Sequence, residues 1–247
     1  MVVDPSGHFI TQREMPELAR LAVEPGDRTI RISMDGHEPL IVARPSAEQR
    51  MEVTVWKSVV SAAVADEAEN SVLSSWLGRR VKLAFFDGQA HRIASEDWAG
   101  SETPVTFADG YQLLVTTTGS LAALNANMAN HGEGTIGMER FRPNIVLDHA
   151  DPFAEDGWES IEIGGIRFDF VKPCARCIMT TQDQQTGSRD GASPMAAMGR
   201  IRMSADRRVP GPLFGWNAVP RGVGTIRVGD EATVSGLRDS WAIKRRA

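Results

Sequence analysis

The stretch Ile161-Glu162-Ile163-Gly164-Gly165-Ile166-Arg167-Phe168-Asp169-Phe170-Val171-Lys172-Pro173-Cys174-Ala175-Arg176-Cys177-Ile178-Met179-Thr180-Thr181 holds two strand-forming runs, 161–163 and 166–170, that lead into a Cys-x-x-Cys. Working outward, the same texture recurs. His8–Thr11, Thr29–Met34, Glu52–Trp56, Val81–Phe86, Leu113–Thr117 and Asn144–Leu147 read as short strands upstream, and Gly224–Val228 and Glu231–Val234 downstream. Thr29–Met34 alternates apolar and polar residues, and Asp35-Gly36 after it is a hairpin signal. Two helices are expected. One spans Asn70–Leu77, capped by Asn70 or Ser71 and ended by Gly78; the other is capped by Ser120 and runs to about Met128. Residues 182–209 read as a long polar surface loop. Many short strands with few helices predict a mainly β (α+β) chain of β-barrel architecture. The polar stretch 87–104, with Gly88, Gly100 and Pro104, divides it into domains 1–95 and 96–247.

A chain of 247 residues can bury a sizeable core, as one large domain or two small ones. Its net charge of −5 is diffuse, which argues against nucleic acid as a partner, since phosphate binding needs a concentrated basic face. Lys244, Arg245 and Arg246 form a short basic tail that reads as solvated. No apolar run approaches the roughly 18 residues of a membrane span. Met1-Val2-Val3-Asp4-Pro5 lacks the basic-then-apolar pattern of a signal peptide, so the expected location is cytoplasmic. Both cysteines, Cys174 and Cys177, sit in the one motif, and no disulfide framework can be built from them.

Spacing alone leaves four readings of that motif open. A structural zinc site needs a second ligand pair, and the histidines His8, His37, His91, His131 and His149 are scattered. A thioredoxin-like redox pair needs a helix start after the motif, where the β-branched Thr180-Thr181 stands instead. Two buried thiols packing as small hydrophobes is the plainest reading. The fourth is a thiolate ligand for a soft, redox-active metal, with Arg176 favouring the ionised thiol and able to bind a phosphate.

The wider context carries a resemblance. Arg140-Phe141-Arg142-Pro143-Asn144-Ile145-Val146, Pro152-Phe153-Ala154-Glu155-Asp156-Gly157-Trp158, Ile163-Gly164, Lys172-Pro173-Cys174-Ala175-Arg176-Cys177 and Thr180-Thr181 follow in order. Thr186-Gly187, Pro212-Leu213-Phe214-Gly215 and Gly224-Thr225-Ile226-Arg227-Val228-Gly229-Asp230 come after them. Asp109-Gly110-Tyr111 leads into Ser120-Leu121-Ala122-Ala123-Leu124-Asn125, and Asp4-Pro5-Ser6-Gly7 and Thr11-Gln12-Arg13 stand at the front. Together these resemble the MOSC family, in the form found in mitochondrial amidoxime reducing components and their bacterial relatives. The similarity runs over nearly the whole chain. It implies an N-terminal β-barrel-like domain followed by a MOSC β-barrel with a few helices.

The resemblance also implies a molybdenum–molybdopterin cofactor (Moco). Cys177 matches the cysteine that ligates molybdenum and is the implied catalytic residue. Arg142 and Asn144 match an Arg-Pro-Asn element that holds the cofactor, Ala175 and Arg176 line its pterin and phosphate, and Gly110 and Tyr111 fall where the family contacts it from the loop before a central strand. Guanidinium groups suit an anionic phosphate, and a thiolate completes the metal's ligands. Cys174 carries no implied catalytic role, and Trp158 and Trp216 read as core or rim aromatics.

The implied reaction is two-electron reduction of small N-hydroxylated substrates, amidoximes or hydroxylamines. Electrons would come from a separate donor protein of cytochrome, ferredoxin or flavoprotein type, since no cysteines remain for an iron–sulfur domain. The alternative is a molybdenum-cofactor-binding or sulfur-carrier module without reductase activity of its own. One departure stands out. The family's opening Tyr-Pro-x-Lys-Ser and Asp-Arg-x-Trp stretches are absent, so the N-terminus reads as truncated, and Gln184-Gln185 replaces a more usual acidic or proline-containing pair.

Overall fold

The computed structural model describes residues 1–244; Arg245 and Arg246 of the basic tail lie outside the described residues. The chain is mostly β-strand, with a few helices, and divides into two compact units. The first holds Met1–Ala94 with 104–109 and 183–188; the second holds Ser95–Thr103, Gly110–Gln182 and the rest from Arg189.

In the first unit β1 (Val2–Val3), β5 (Arg50–Val55), β6 (Ser58–Val64) and β7 (Lys82–Phe85) form a sheet in the order β1-β7-β6-β5, while β2 (Ala22–Pro25), β3 (Thr29–Ser33) and β4 (Leu40–Ala43) form a three-stranded meander. Alternation does the sorting. Val53 and Val55 point inward beside Val3, Val60 and Ala84, and the intervening Glu52 and Thr54 do not. Each buried valine contributes about 1.5–3 kcal/mol. Helix α1 (Glu67–Leu77) ends as the sequence predicts, at Gly78, whose φ of 61° is the left-handed conformation glycine adopts without strain. Its start differs. Asp66 is the N-cap residue, and Asn70 is buried inside the helix. Asn70 donates to Ala65 O and accepts from Leu83 N, tying the helix to β7, so a residue suited to capping serves a tertiary hydrogen bond instead.

The second unit opens with α2 (Glu96–Ala99). Its sheet contains β8 (Leu113–Thr117), β9 (Ile145–Leu147), β10 (Trp158–Ile163), β11 (Ile166–Ala175), β12 (Leu213–Pro220) and β13 (Ala232–Leu237), ordered β13-β10-β11-β12-β8-β9, with β8 and β9 parallel. Gly164 and Gly165, at φ 57° and 75°, make the two-residue turn that folds β10 back on β11. Val115, Ile161, Phe168, Phe170 and Trp216 fill one side of the sheet. Helices α3 (Thr118–Asn130) and α4 (Met195–Ile201) bury Leu124, Met128 and Met198 with Phe141 and Phe214 in a second cluster.

Three expectations are corrected here. Helix α3 is capped by Thr117, whose hydroxyl accepts from Ser120 N, rather than by Ser120, whose own hydroxyl is turned to a buried carboxylate. The loop 182–209 contains α4, because Ala197 and Met198 supply an apolar face. Gly224–Val228 is not a strand: Val223 and Val228 are fully exposed, and β13 fills the edge beside β10. No helix among the described residues is long and apolar enough to cross a membrane.

Candidate functional site

Strand β11 carries the cysteine motif to one end of the second unit's sheet. Ala175 is its last paired residue, opposite Leu213, and Arg176 N then donates to Pro212 O at 2.8 Å. Cys177 follows in extended conformation and opens a single 3₁₀ turn, Ile178–Thr181, where the sequence led us to expect no helix start. Cys177 O accepts from Thr180 N and from the Thr180 hydroxyl at 3.1 Å, and the Thr181 hydroxyl caps Ile178 O at 2.8 Å. Thr180, Thr181 and Gln182 are buried, whereas Cys177 is exposed. These bonds hold the backbone of the loop at an exposed cysteine. Cys174 is half-buried, and the two cysteines are not joined in a disulfide.

Arg176 is the best-held cation of the loop. It donates through Nη1 to Cys174 Sγ at 2.9 Å and through Nη2 to Phe141 O at 2.8 Å, and it lies over the Phe141 ring. Its Nε is buried and has no partner. A buried N–H left without an acceptor costs about 1–3 kcal/mol, which an anion at this point would recover. Phe141 in turn stacks on Phe214 at 3.8 Å, which seats the 3₁₀ turn Met138–Phe141 against the sheet. Arg142 follows that turn with a left-handed φ of 53°, unusual for a residue with a side chain, and its guanidinium is exposed. Asn144 exchanges two hydrogen bonds with Leu114, through its backbone N and its Oδ1, leaving Nδ2 for anything else.

Cys177, Ala175, Arg176 and the Phe141–Arg142 segment thus gather around one loop. Gly110 and Tyr111 do not join them. The register places Leu113 opposite Ala218 at one end of β12 and Ala175 opposite Leu213 at the other, so residues before Leu113 lie at the far end. There Tyr111 bonds the Ser95 side chain, and burial pushes its phenol up. Sequence reasoning missed Arg140, whose Nη1 reaches Thr180 O at 3.2 Å; the Arg-x-Arg spacing with Arg142 was the available signal.

It also missed the buried network at the C-terminal end of β8. Glu155, 1% exposed, accepts from the Ser120 hydroxyl at 2.7 Å and from the Thr117 hydroxyl at 3.1 Å, and so fixes the start of α3. Burial raises the Glu155 carboxyl above its ordinary value of 4.5, against the lowering effect of the Ser120 bond. A raised folded-state value means the native state holds more protons than the unfolded one above pH 4.5, so stability falls as pH rises through that window and then levels. Glu155→Gln is therefore expected to flatten the fall of melting temperature as pH rises above about 4.5. An unchanged slope by circular dichroism would mean that another group sets it.

The MOSC domain model matches residues 102–233, and the MOSC N-terminal beta barrel domain model matches residues 1–80. The chain is 27% identical over 248 residues to human "Mitochondrial amidoxime-reducing component 1", covering 96% of this chain and 72% of that protein. It is 38% identical over 130 residues to human "Mitochondrial amidoxime reducing component 2", covering 51% and 38%. It is 29% identical over 208 residues to human "Molybdenum cofactor sulfurase", covering 77% of this chain and 23% of that one. With a matching MOSC domain behind a matching MOSC N-terminal beta barrel domain, the chain belongs to the MOSC family.

Proposed function

We propose that the chain binds a molybdenum–molybdopterin cofactor at the Cys177 loop and uses it to reduce small N-hydroxylated substrates with electrons from a separate donor protein. The observation that carries this reading is the pairing of an exposed cysteine on a hydrogen-bonded turn with Arg176, a cation that has a buried, unpartnered Nε. Those residues fit a group that is anionic at one point and thiophilic at another. When bound, the cofactor supplies the two-electron redox chemistry that cleavage of an N–O bond requires.

The protein's own contribution is to hold and shield. Cys177 offers the metal a thiolate from a backbone clamped by Thr180. Arg176 and Arg142 neutralise phosphate charge, Asn144 presents Nδ2, and Ala175 leaves room beside the strand end. Among the described residues no group of three or more His, Cys, Asp or Glu side chains converges on a metal, so the remaining metal ligands would come from the cofactor itself. Gly110 and Tyr111 are left out of this set on the register given above. The test is reduction of benzamidoxime with a reduced viologen dye as electron source; cofactor-loaded protein without turnover would sink the reductase reading.

Arg176→Gln is expected to weaken cofactor retention by roughly 10–100-fold, because it removes the charge while the strand bond of its backbone remains. Cofactor content after gel filtration checks this; full retention would show that Arg176 only packs on Phe141. The exposed Cys177 and the match to a molybdenum cofactor sulfurase also favour a second reading, a sulfur carrier. Sulfane sulfur on Cys177 in purified, metal-free protein would support it.

A further inference from the structure

The second unit has a cavity of about 450 Å³ at the opposite end of β11 from the cysteine loop, and its walls are cationic. Asp169 accepts from Arg167 Nε at 2.6 Å on Oδ1 and from Arg221 Nε at 2.7 Å on Oδ2. One carboxylate therefore sets two guanidinium groups side by side, and both of its oxygens are taken. Arg221 spends one further N–H on Ala99 O, and Arg167 keeps its outer edge half-exposed. The third cation is Arg238. Its Nη2 donates to Glu159 O and to Phe170 O, its plane lies 4.7 Å over Trp216, and its Nε is buried with no partner.

We propose that this cavity binds a small phosphate-type oxyanion, inorganic phosphate or a phosphomonoester, with Arg167, Arg221 and Arg238 as its donors. The cavity is lined by three cations against two carboxylates, Asp169 and Glu159, so one positive charge is uncompensated. Arginine does not discharge on burial, so an anion is the chemical remedy. Burial pushes the Arg238 guanidinium down from its ordinary value, a cost that a bound anion offsets. The donors suit a tetrahedral oxyanion: three guanidinium groups come from three segments, and its oxygens offer acceptors outside a single plane, which a planar carboxylate does not. The site is separate from the proposed cofactor. Asp169 stands six residues before Ala175, about 20 Å along an extended strand, and the inference does not rest on the cofactor reading.

Isothermal titration calorimetry of the full chain with inorganic phosphate, at constant ionic strength, tests it. The expected result is a saturable site that weakens at least about tenfold in Arg167→Gln and in Arg238→Gln and is unchanged in Arg79→Gln, which removes a surface ion pair of the first unit. Arg167 is surface-facing, so its variant remains informative if loss of the Arg238 contacts unfolds the protein. Absence of saturable binding overturns the proposal. So does binding that survives Arg167→Gln and is lost in Arg176→Gln, which would place phosphate at the cysteine loop.

Discussion

Cys177→Ala is expected to lose bound molybdenum, with retention falling by more than about 100-fold, and reduction of N-hydroxylated substrates should be lost with it. The size of the effect follows from the position. Residues that only orient a metal ligand already cost about 10–100-fold when removed, and Cys177 is the proposed ligand itself. The fold should be indifferent, because the side chain is exposed and the turn is held by the Cys177 carbonyl through Thr180. An unchanged melting temperature with lost metal is thus the expected pair of results. Cys177→Ser separates charge from softness: an oxygen donor at the same place should hold molybdenum more weakly than sulfur. Molybdenum retained in Cys177→Ala would remove the thiolate from the site.

The largest loss of stability is expected from Asp156→Ala. Asp156 accepts from Arg202 Nη2 at 3.0 Å and Trp216 Nε1 at 2.9 Å on one oxygen, and pairs with Arg202 Nη1 at 2.8 Å on the other. Both partners of the ion pair are buried, and Arg202 lies 4.2 Å over the Phe153 ring. Removing the carboxylate strands a buried cation and an indole N–H, at about 3–5 kcal/mol. That corresponds to a fall of roughly 6–20 °C in melting temperature for a chain of this size. Arg202 O also accepts from Leu213 N, the residue opposite Ala175, so the end of β11 should loosen and cofactor retention fall as well. Asp156→Ala with Arg202→Met should recover part of the loss, since an apolar pair leaves no stranded charge. Equal melting temperatures for wild type and Asp156→Ala would show that the pair contributes nothing net.

What the sequence disclosed follows the range of the forces involved. Elements set by local pattern were legible: the alternation of β3, the run of β8, and the stop of α1 at Gly78. Elements set by distant partners were not. Asn70 looks like a cap and serves β7, and Ser120 looks like a cap and serves Glu155. Gly224–Val228 has strand composition and finds no neighbouring strand. In the candidate site, Cys177 and Arg176 lie together because they are contiguous in the chain; their spacing left the motif's role open, and the family resemblance singled them out. Tyr111 was placed by the family resemblance, in the loop before β8, and only the register across β12 shows which end of the sheet it occupies. Arg238 gave no sequence signal, since its significance lies in Glu159 and Phe170, far away along the chain.

The most direct test of the central claim is molybdenum per chain, by elemental analysis of protein purified from a host that synthesises the cofactor. The proposed site predicts near-stoichiometric molybdenum released together with a pterin on denaturation. Metal-free protein from the same host, folded and with Cys177 accessible to thiol reagents, would contradict it.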